Sequence, residues 1–171
     1  MLFRSPKPKS GWIQEGTKWY YYDKNGAKVT GWYQDGSWYY FDKDGVMQTG
    51  WLNVSGTWYY LGRSGAMVTG WLQSGKTWYY LRPSGAMATG WLQIGKVWYY
   101  FNESGAMATG WKQINGTWYY FEDSGAMKTG WLQSGGKWYY LDTNGAMVTG
   151  KVKIDGKISK FDDSGVWLGY V

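Results

Sequence analysis

Recurring tryptophans and tyrosines are the side chains whose type and spacing suggest chemistry in this chain. The 171 residues include 15 Trp and 17 Tyr against 5 Phe, so aromatic residues make up 22% of the sequence. Indole and phenol rings have electron-rich faces that attract cations. A quaternary ammonium group suits such rings because it has no hydrogen to donate. The sequence therefore predicts a cation enclosed by rings.

The residue types that are missing exclude most other chemistry. The sequence has no His and no Cys, which removes the commonest general base, the commonest metal ligand and any thiol or disulfide. Nine of the 12 acidic residues fall just after an aromatic segment, where Asp and Asn favour turns. These are Asp23, Asp42, Asp44, Glu103, Glu122, Asp123, Asp142, Asp162 and Asp163. We therefore expect no catalytic residue, metal or cofactor.

The tryptophans belong to a repeat of 20 residues, one copy of which has 19. A typical copy runs from Gly-Trp through a turn to Trp-Tyr-Tyr and Leu or Phe, and closes on Gly-Ala-Met-x-Thr. We assign 1–10 to a linker or chain end, 11–149 to seven aromatic repeats and 150–171 to a degenerate capping repeat. In the cap, aromatic residues are replaced by Lys151, Ile158, Ser159 and Lys160.

Short strands are the regular structure that fits this repeat. Its apolar runs of three or four residues are too short for helices, and two-residue loops such as Asn115-Gly116 and Gly75-Lys76 match primed hairpin turns. Since a lone hairpin is barely stable in water, we predict an all-β solenoid of stacked hairpins. In the predicted register one face of a hairpin carries Trp111, Gln113, Trp118 and Tyr120, and the other carries Lys112, Ile114, Tyr119 and Phe121.

The face with both tryptophans is the predicted binding face. If burial were its only task, Leu, Ile or Val would serve without an indole N–H to satisfy, yet both Trp are kept in seven successive units. The alternative is that these rings are simply core.

The repeat as a whole resembles a known family. The Gly-Trp, Trp-Tyr-Tyr-Leu/Phe and Gly-Ala-Met-x-Thr elements, from Gly11 to about Gly169, are similar to the choline-binding repeat of pneumococcal-type surface proteins and wall lysins. The resemblance implies that choline lies between consecutive hairpins, among the two Trp of one unit, the second Tyr of the next and the Met between them. The implied sites are Trp51, Trp58, Met67 and Tyr80; Trp71, Trp78, Met87 and Tyr100; Trp91, Trp98, Met107 and Tyr120; and Trp111, Trp118, Met127 and Tyr140.

Three junctions depart from this pattern. The site of Trp32, Trp38, Met47 and Tyr60 lies in the 19-residue unit, where we expect a three-residue loop including Ser37 to keep both Trp on one face. Two end sites are weaker candidates. At Trp12, Trp19 and Tyr40 the Met position is taken to be Lys28, and at Trp131, Trp138 and Met147 the third ring is taken to be replaced by Lys160.

The resemblance also implies a function. It predicts a non-catalytic, secreted module that binds choline or phosphocholine on the teichoic and lipoteichoic acids of a Gram-positive wall, many sites at once, with homodimerisation possible. The main alternative is a glucan-binding module, although the only polar groups repeated on the binding face are Gln73, Gln93, Gln113 and Gln133. A structural spacer is a further alternative.

Charge and hydropathy argue against nucleic-acid binding and against a membrane-spanning segment. The net charge is +6, but the Lys and Arg are scattered singly, so we expect no nucleic acid to bind. No window is apolar enough for a membrane span, and Met1–Ser10 lacks the apolar core of a signal peptide.

Overall fold

The computed structural model describes residues 7–171, and within them every regular element is a β-strand. The part of the predicted linker at 1–6 lies outside the described residues. The strands are β1 (Gly11–Glu15), β2 (Lys18–Tyr22), β3 (Gly31–Asp35), β4 (Ser37–Phe41), β5 (Gly50–Val54), β6 (Thr57–Leu61), β7 (Gly70–Ser74), β8 (Thr77–Leu81), β9 (Gly90–Ile94), β10 (Val97–Phe101), β11 (Gly110–Ile114), β12 (Thr117–Phe121), β13 (Gly130–Ser134), β14 (Lys137–Leu141), β15 (Gly150–Ile154), β16 (Lys157–Phe161) and β17 (Trp167–Tyr170).

Consecutive strands pair as antiparallel hairpins, and in the last repeat β17 adds to β16 to make a three-stranded sheet. The pairing of β11 with β12 has the predicted register, with Gln113 opposite Trp118 and Trp111 opposite Tyr120. The prediction of an all-β fold built from repeated hairpins is therefore confirmed.

The hairpin loops explain why this register is fixed. Asn115 and Gly116 have φ of 50° and 83°, the pair of positive values that a type I′ turn requires. Such a turn joins Ile114 directly to its partner Thr117, so a one-residue slip would move every Trp to the opposite face.

The 19-residue repeat shortens its loop and keeps its register. Gln34 pairs with Trp38 as expected, but Asp35 also pairs with Ser37, so Gly36 alone joins the two strands. The predicted three-residue loop is thus shorter than expected, because a glycine at φ 68° turns the chain by itself. Trp32 and Trp38 share a face, with ring centroids 6.5 Å apart.

The chain divides into two compact units near the loop between β7 and β8. The first comprises the described residues up to Ser74 together with Tyr79–Met87, and the second comprises Gly75–Trp78 with Ala88–Val171. Each unit has the same kind of core, because in every hairpin after the first the last residue of the second strand is buried. These residues are Phe41, Leu61 and Leu81 in the first unit, and Phe101, Phe121, Leu141 and Phe161 in the second.

Within each unit, one backbone hydrogen bond links a hairpin to the repeat that follows it. In the first unit the Met67 N–H donates to the Trp38 carbonyl at 2.8 Å, and in the second the Met127 N–H donates to the Trp98 carbonyl at 2.8 Å. The bond fixes the Met of one repeat beside the second Trp of the preceding one.

Candidate ligand-binding site

The site begins with the two Trp of one hairpin, because antiparallel pairing places them diagonally on one face. Gln93 lies opposite Trp98, and Trp91 lies opposite Tyr100. The ring centroids of Trp91 and Trp98 are 6.4 Å apart, with their planes at 82°. The same corner is made by Trp111 and Trp118, at 6.4 Å and 82°.

The third ring comes from the opposite face of the next hairpin. Tyr119 is the first Tyr of its repeat, and its ring centroid is 4.8 Å from that of Trp91, with an interplanar angle of 71°. Tyr139 approaches Trp111 in the same way at 4.9 Å. Each of these two junctions therefore joins the Trp-bearing face of one hairpin to the other face of its successor.

A methionine closes the fourth side. Met127 is held by its N–H bond to the Trp98 carbonyl and lies against Gly145 of the following repeat. A Cβ at Gly145 would collide with the Met127 side chain, so only glycine leaves room for it. A polarizable thioether beside aromatic rings is a favourable neighbour for a soft cation.

These groups enclose three described cavities, each within one compact unit. A cavity of about 300 Å³ in the first unit is lined by Trp32, Trp38, Tyr59, Met67, Pro83 and Ser84. A second of about 300 Å³ is lined by Trp91, Trp98, Tyr119, Met127, Thr143 and Asn144. A third of about 490 Å³ is lined by Trp111, Trp118, Tyr139, Met147, Asp163 and Ser164. All three open to solvent at the second Trp, which is 40–41% exposed.

In the first repeat a lysine ammonium lies over the tyrosine that is equivalent to the site tyrosines. The Lys28 ammonium lies 3.7 Å from the ring centroid of Tyr20, which is the first Tyr of its repeat and equivalent to Tyr119. Lys28 stands at the methionine position of that repeat, and a Cβ on Gly45 would come within 2.9 Å of the Lys28 Cβ. This tyrosine position therefore holds an ammonium group over its ring.

The structure brings together the residue types that the sequence predicts, two Trp, a Tyr and a Met, but in different combinations. The third ring is the first Tyr of the next hairpin, not the second. Trp51 therefore contacts Tyr79, with ring centroids 4.8 Å apart. Tyr80, which was predicted to make this contact, packs on Trp71 of its own hairpin. By the same correction Tyr60, Tyr100, Tyr120 and Tyr140 each lie beside the first Trp of their own hairpin.

The methionines shift by one junction in the same way. Met67 belongs with Trp32 and Trp38, whereas it was predicted with Trp51 and Trp58. Met127 lies with Trp91 and Trp98, and Met147 with Trp111 and Trp118, each one junction before its predicted place. Met47, Met87 and Met107 donate their N–H groups to Trp19, Trp58 and Trp78, so they follow the same rule.

The N-terminal junction is more complete than predicted. Trp12 lies 6.4 Å from Trp19 and 4.7 Å from Tyr39, while the Met47 N–H bonds to the Trp19 carbonyl. The prediction that Lys28 opposes a cation here is wrong, because Lys28 lies over Tyr20 instead. Tyr40, predicted for this site, packs on Trp32.

The C-terminal junction is incomplete, but for a different reason than predicted. The residue at the first-Tyr position is the buried Ser159, and Lys160, which was expected to replace the third ring, lies opposite Lys151. Trp167 occupies the methionine position and lies 5.7 Å from Trp131 at 80°. Trp131 and Trp138 therefore lack both the Tyr and the Met.

The exposed turns that line the cavities were missed by the sequence reasoning. Pro83, Thr143 and Asp163 each lie in the repeat two beyond the Trp pair that they accompany. Their position in the repeat period was visible in the sequence, but their contact with a site so distant along the chain depends on how the hairpins stack.

Repeated hairpins whose junctions form pockets of three rings and one thioether define a repeat module with the chemistry to hold small cations. The family model described as a choline-binding repeat matches residues 9–47, 33–70, 48–90, 68–109, 88–130, 108–144 and 128–167. The chain belongs to the choline-binding repeat family.

Solved structures agree with this membership. CbpJ from Streptococcus pneumoniae TIGR4 is 45% identical with a TM-score of 0.86, over 94% of this chain and 58% of that one. Choline binding protein F from Streptococcus pneumoniae is 44% identical with a TM-score of 0.84, over 94% and 57%. The modular autolysin LytC of the same species is 31% identical with a TM-score of 0.65, over 94% and 39%.

This chain thus spans less than two thirds of each of these proteins. No curated protein matches it. Among residues 7–171, no helix is long and apolar enough to cross a membrane.

Proposed function

We propose that this chain is a non-catalytic anchoring module that binds choline at the junctions between its repeats. Its natural ligand is the phosphocholine of cell-wall teichoic and lipoteichoic acids, and its place of action is the surface of a Gram-positive cell. CbpJ, choline binding protein F and the modular autolysin LytC of Streptococcus pneumoniae share its fold and support this assignment.

The recurring ring geometry is the observation that carries the proposal. A trimethylammonium group is roughly tetrahedral and apolar on its outside, so it needs several rings around it and no hydrogen-bond acceptor. Two indoles at 82°, a phenol ring from the next hairpin and a thioether supply that environment at Trp91, Trp98, Tyr119 and Met127.

The expected affinity of one site is low. Each ring contributes roughly 0.5–2 kcal/mol, so three rings correspond to a Kd on the order of 1 mM. Several sites that engage one choline-bearing polymer raise the apparent affinity by about 10²–10⁴ for each effective linkage. The repetition of weak sites therefore suits a polymeric ligand.

The proposal is tested by calorimetric titration with choline and with its uncharged isostere 3,3-dimethylbutan-1-ol. We expect choline to bind at least about tenfold more tightly, since the isostere keeps the shape and loses the charge. Equal affinity for both compounds would refute the cation site.

A second test uses a matrix of immobilised quaternary ammonium groups. With a net charge of +6 the protein is repelled by such a matrix as a whole, so retention followed by release with free choline must come from specific sites. Sodium chloride at the same ionic strength is the control. Retention on dextran alone would instead indicate the glucan-binding alternative.

A further inference from the structure

We propose that each choline site is completed by a third repeat, and that one turn residue of that repeat sets the preference of the site for choline or for phosphocholine. The inference rests on the proposed function and concerns the specificity of those same sites. It assigns a role to Asp163, Thr143 and Pro83, which stand at equivalent positions of three turns.

The cavities are lined by residues of three successive repeats. Trp111 and Trp118 come from one repeat and Tyr139 and Met147 from the next, while Asp163 and Ser164 come from the third. Thr143 and Asn144 take the same place beside Trp91 and Trp98. Pro83 and Ser84 do so beside Trp32 and Trp38.

The turn backbone is the same in the three cases, so the side chains are the variable. The N–H of Gly165 donates to the Asp162 carbonyl at 3.0 Å, that of Gly145 to Asp142 at 2.9 Å and that of Gly85 to Arg82 at 2.7 Å. Two of these turns are also stiffened in the same way: the N–H groups of Ser164 and Val166 donate to the Asp162 carboxylate, and those of Asn144 and Ala146 donate to the Asp142 carboxylate.

The charge presented to the ligand therefore differs from one site to the next. Asp163 places a carboxylate at the Trp111 site, whereas Thr143 and Asn144 offer an uncharged hydroxyl and amide at the Trp91 site. A carboxylate attracts the trimethylammonium group and repels the phosphate of phosphocholine, which carries a charge of about −1.5 to −2 at pH 7. The Trp111 site should prefer choline, and the Trp91 site should accept phosphocholine more readily.

The magnitude is modest because Asp163 is exposed to solvent. An exposed ion pair changes a binding constant by up to about fivefold. The Asp163 carboxylate strengthens choline binding by attracting the cation and weakens phosphocholine binding by repelling the phosphate. The ratio of the choline affinity to the phosphocholine affinity therefore changes more than either affinity alone.

This arrangement also explains what the degenerate last repeat retains. It has lost the two Trp and two Tyr that the other hairpins carry but keeps the turn from Asp162 to Gly165. Through Asp163 and Ser164 that turn completes the last cavity that has a full set of three rings and a methionine.

The test is a nuclear magnetic resonance titration that follows the indole N–H signals of Trp98 and Trp118 with choline, with phosphocholine and with inorganic phosphate, at constant ionic strength. In D163N we expect choline affinity at Trp118 to fall about twofold to fivefold and phosphocholine affinity to rise, with Trp98 unchanged. T143D should produce the opposite changes at Trp98 alone.

The matched control is D155N. Asp155 is an exposed carboxylate in the β15–β16 loop of the same repeat, and Asn is well suited to its φ of 49°. Equal changes at Trp118 in D155N and D163N would overturn the proposal, as would unchanged affinity ratios in both D163N and T143D. If choline shifts no indole signal in the unsubstituted protein, the proposed function itself fails, which is a distinguishable result.

Discussion

Replacing Trp98 with Leu separates choline binding from folding, because Trp138 offers a closely matched control. Both are the second Trp of their repeat, with exposures of 41% and 43%, and each lies 6.4 Å at 82° from the first Trp of its hairpin. Only Trp98 faces a Tyr and a Met across the junction. W98L should therefore remove a site, and W138L should remove none.

The size of the effect follows from linkage. Each occupied site adds RT ln(1 + [L]/Kd) to the free energy of unfolding, which is about 1.4 kcal/mol when choline is at ten times its Kd. We expect W98L to lose about that much of the choline-dependent stabilisation and W138L to keep all of it. Without choline the two variants should unfold within about 0.5 kcal/mol of each other, since both substitutions alter similarly exposed rings.

The assay is urea denaturation with and without choline, followed by fluorescence and by circular dichroism. A choline-dependent stabilisation reduced equally in W98L and W138L would refute the reasoning, since it would mean that the Tyr and the Met add nothing to the site. An unchanged stabilisation in W98L would refute it as well.

Three further predictions concern packing, titration and the N-terminal junction. G145A should unfold at lower urea concentration than G136A, because both glycines have positive φ, at 80° and 74°, but only a methyl group at 145 collides with Met127. The hydrogen bond with Tyr33, with burial and the nearby Asp35 carboxylate, raises the pKa of Tyr21 to about 12, so its contribution to stability is complete below about pH 10 and is lost as the pH rises through 12. Y33F should move the Tyr21 titration to lower pH, which absorbance difference spectra against the unsubstituted protein measure. K28M should leave choline binding at Trp12 and Trp19 unchanged within about twofold, as their indole N–H titrations will report, because Lys28 lies over Tyr20.

The architecture of a single hairpin could be predicted from sequence because local rules determine it. The Asn115-Gly116 turn fixes the register, and strand alternation then places Trp111, Trp118 and Tyr120 on one face. Even the short repeat kept this register, since pairing of Gln34 with Trp38 depends on the strands more than on the length of the loop.

The junction between hairpins could not be predicted in the same way. Alternation does not say which face of the next hairpin closes the site, so Tyr120 was chosen where Tyr119 contacts Trp91. The offset is set by the bond from the Met127 N–H to the Trp98 carbonyl, which spans two repeats and leaves no local pattern in the sequence. Lys28 was misplaced for the same reason.

The resemblance to choline-binding repeats implied that each Trp pair is joined by the second Tyr of the next hairpin and by the Met between the two hairpins. In the structure the first Tyr and the Met of the next repeat lie there instead, as Tyr119 and Met127 do beside Trp91 and Trp98. What remains a prediction is that these four-sided pockets hold choline. Substitutions of Tyr119 and Tyr139 should therefore affect the cavities, because these residues contribute a ring to them, whereas Tyr120 and Tyr140 pack within their own hairpins.

A crystal structure of this chain with bound choline tests the central claim most directly. We predict a trimethylammonium group between Trp91 and Trp98, against the ring of Tyr119 and the sulfur of Met127, with an equivalent group at Trp111, Trp118, Tyr139 and Met147. Choline bound away from the Trp pairs, or no choline at these junctions at a concentration well above the expected Kd, would contradict it.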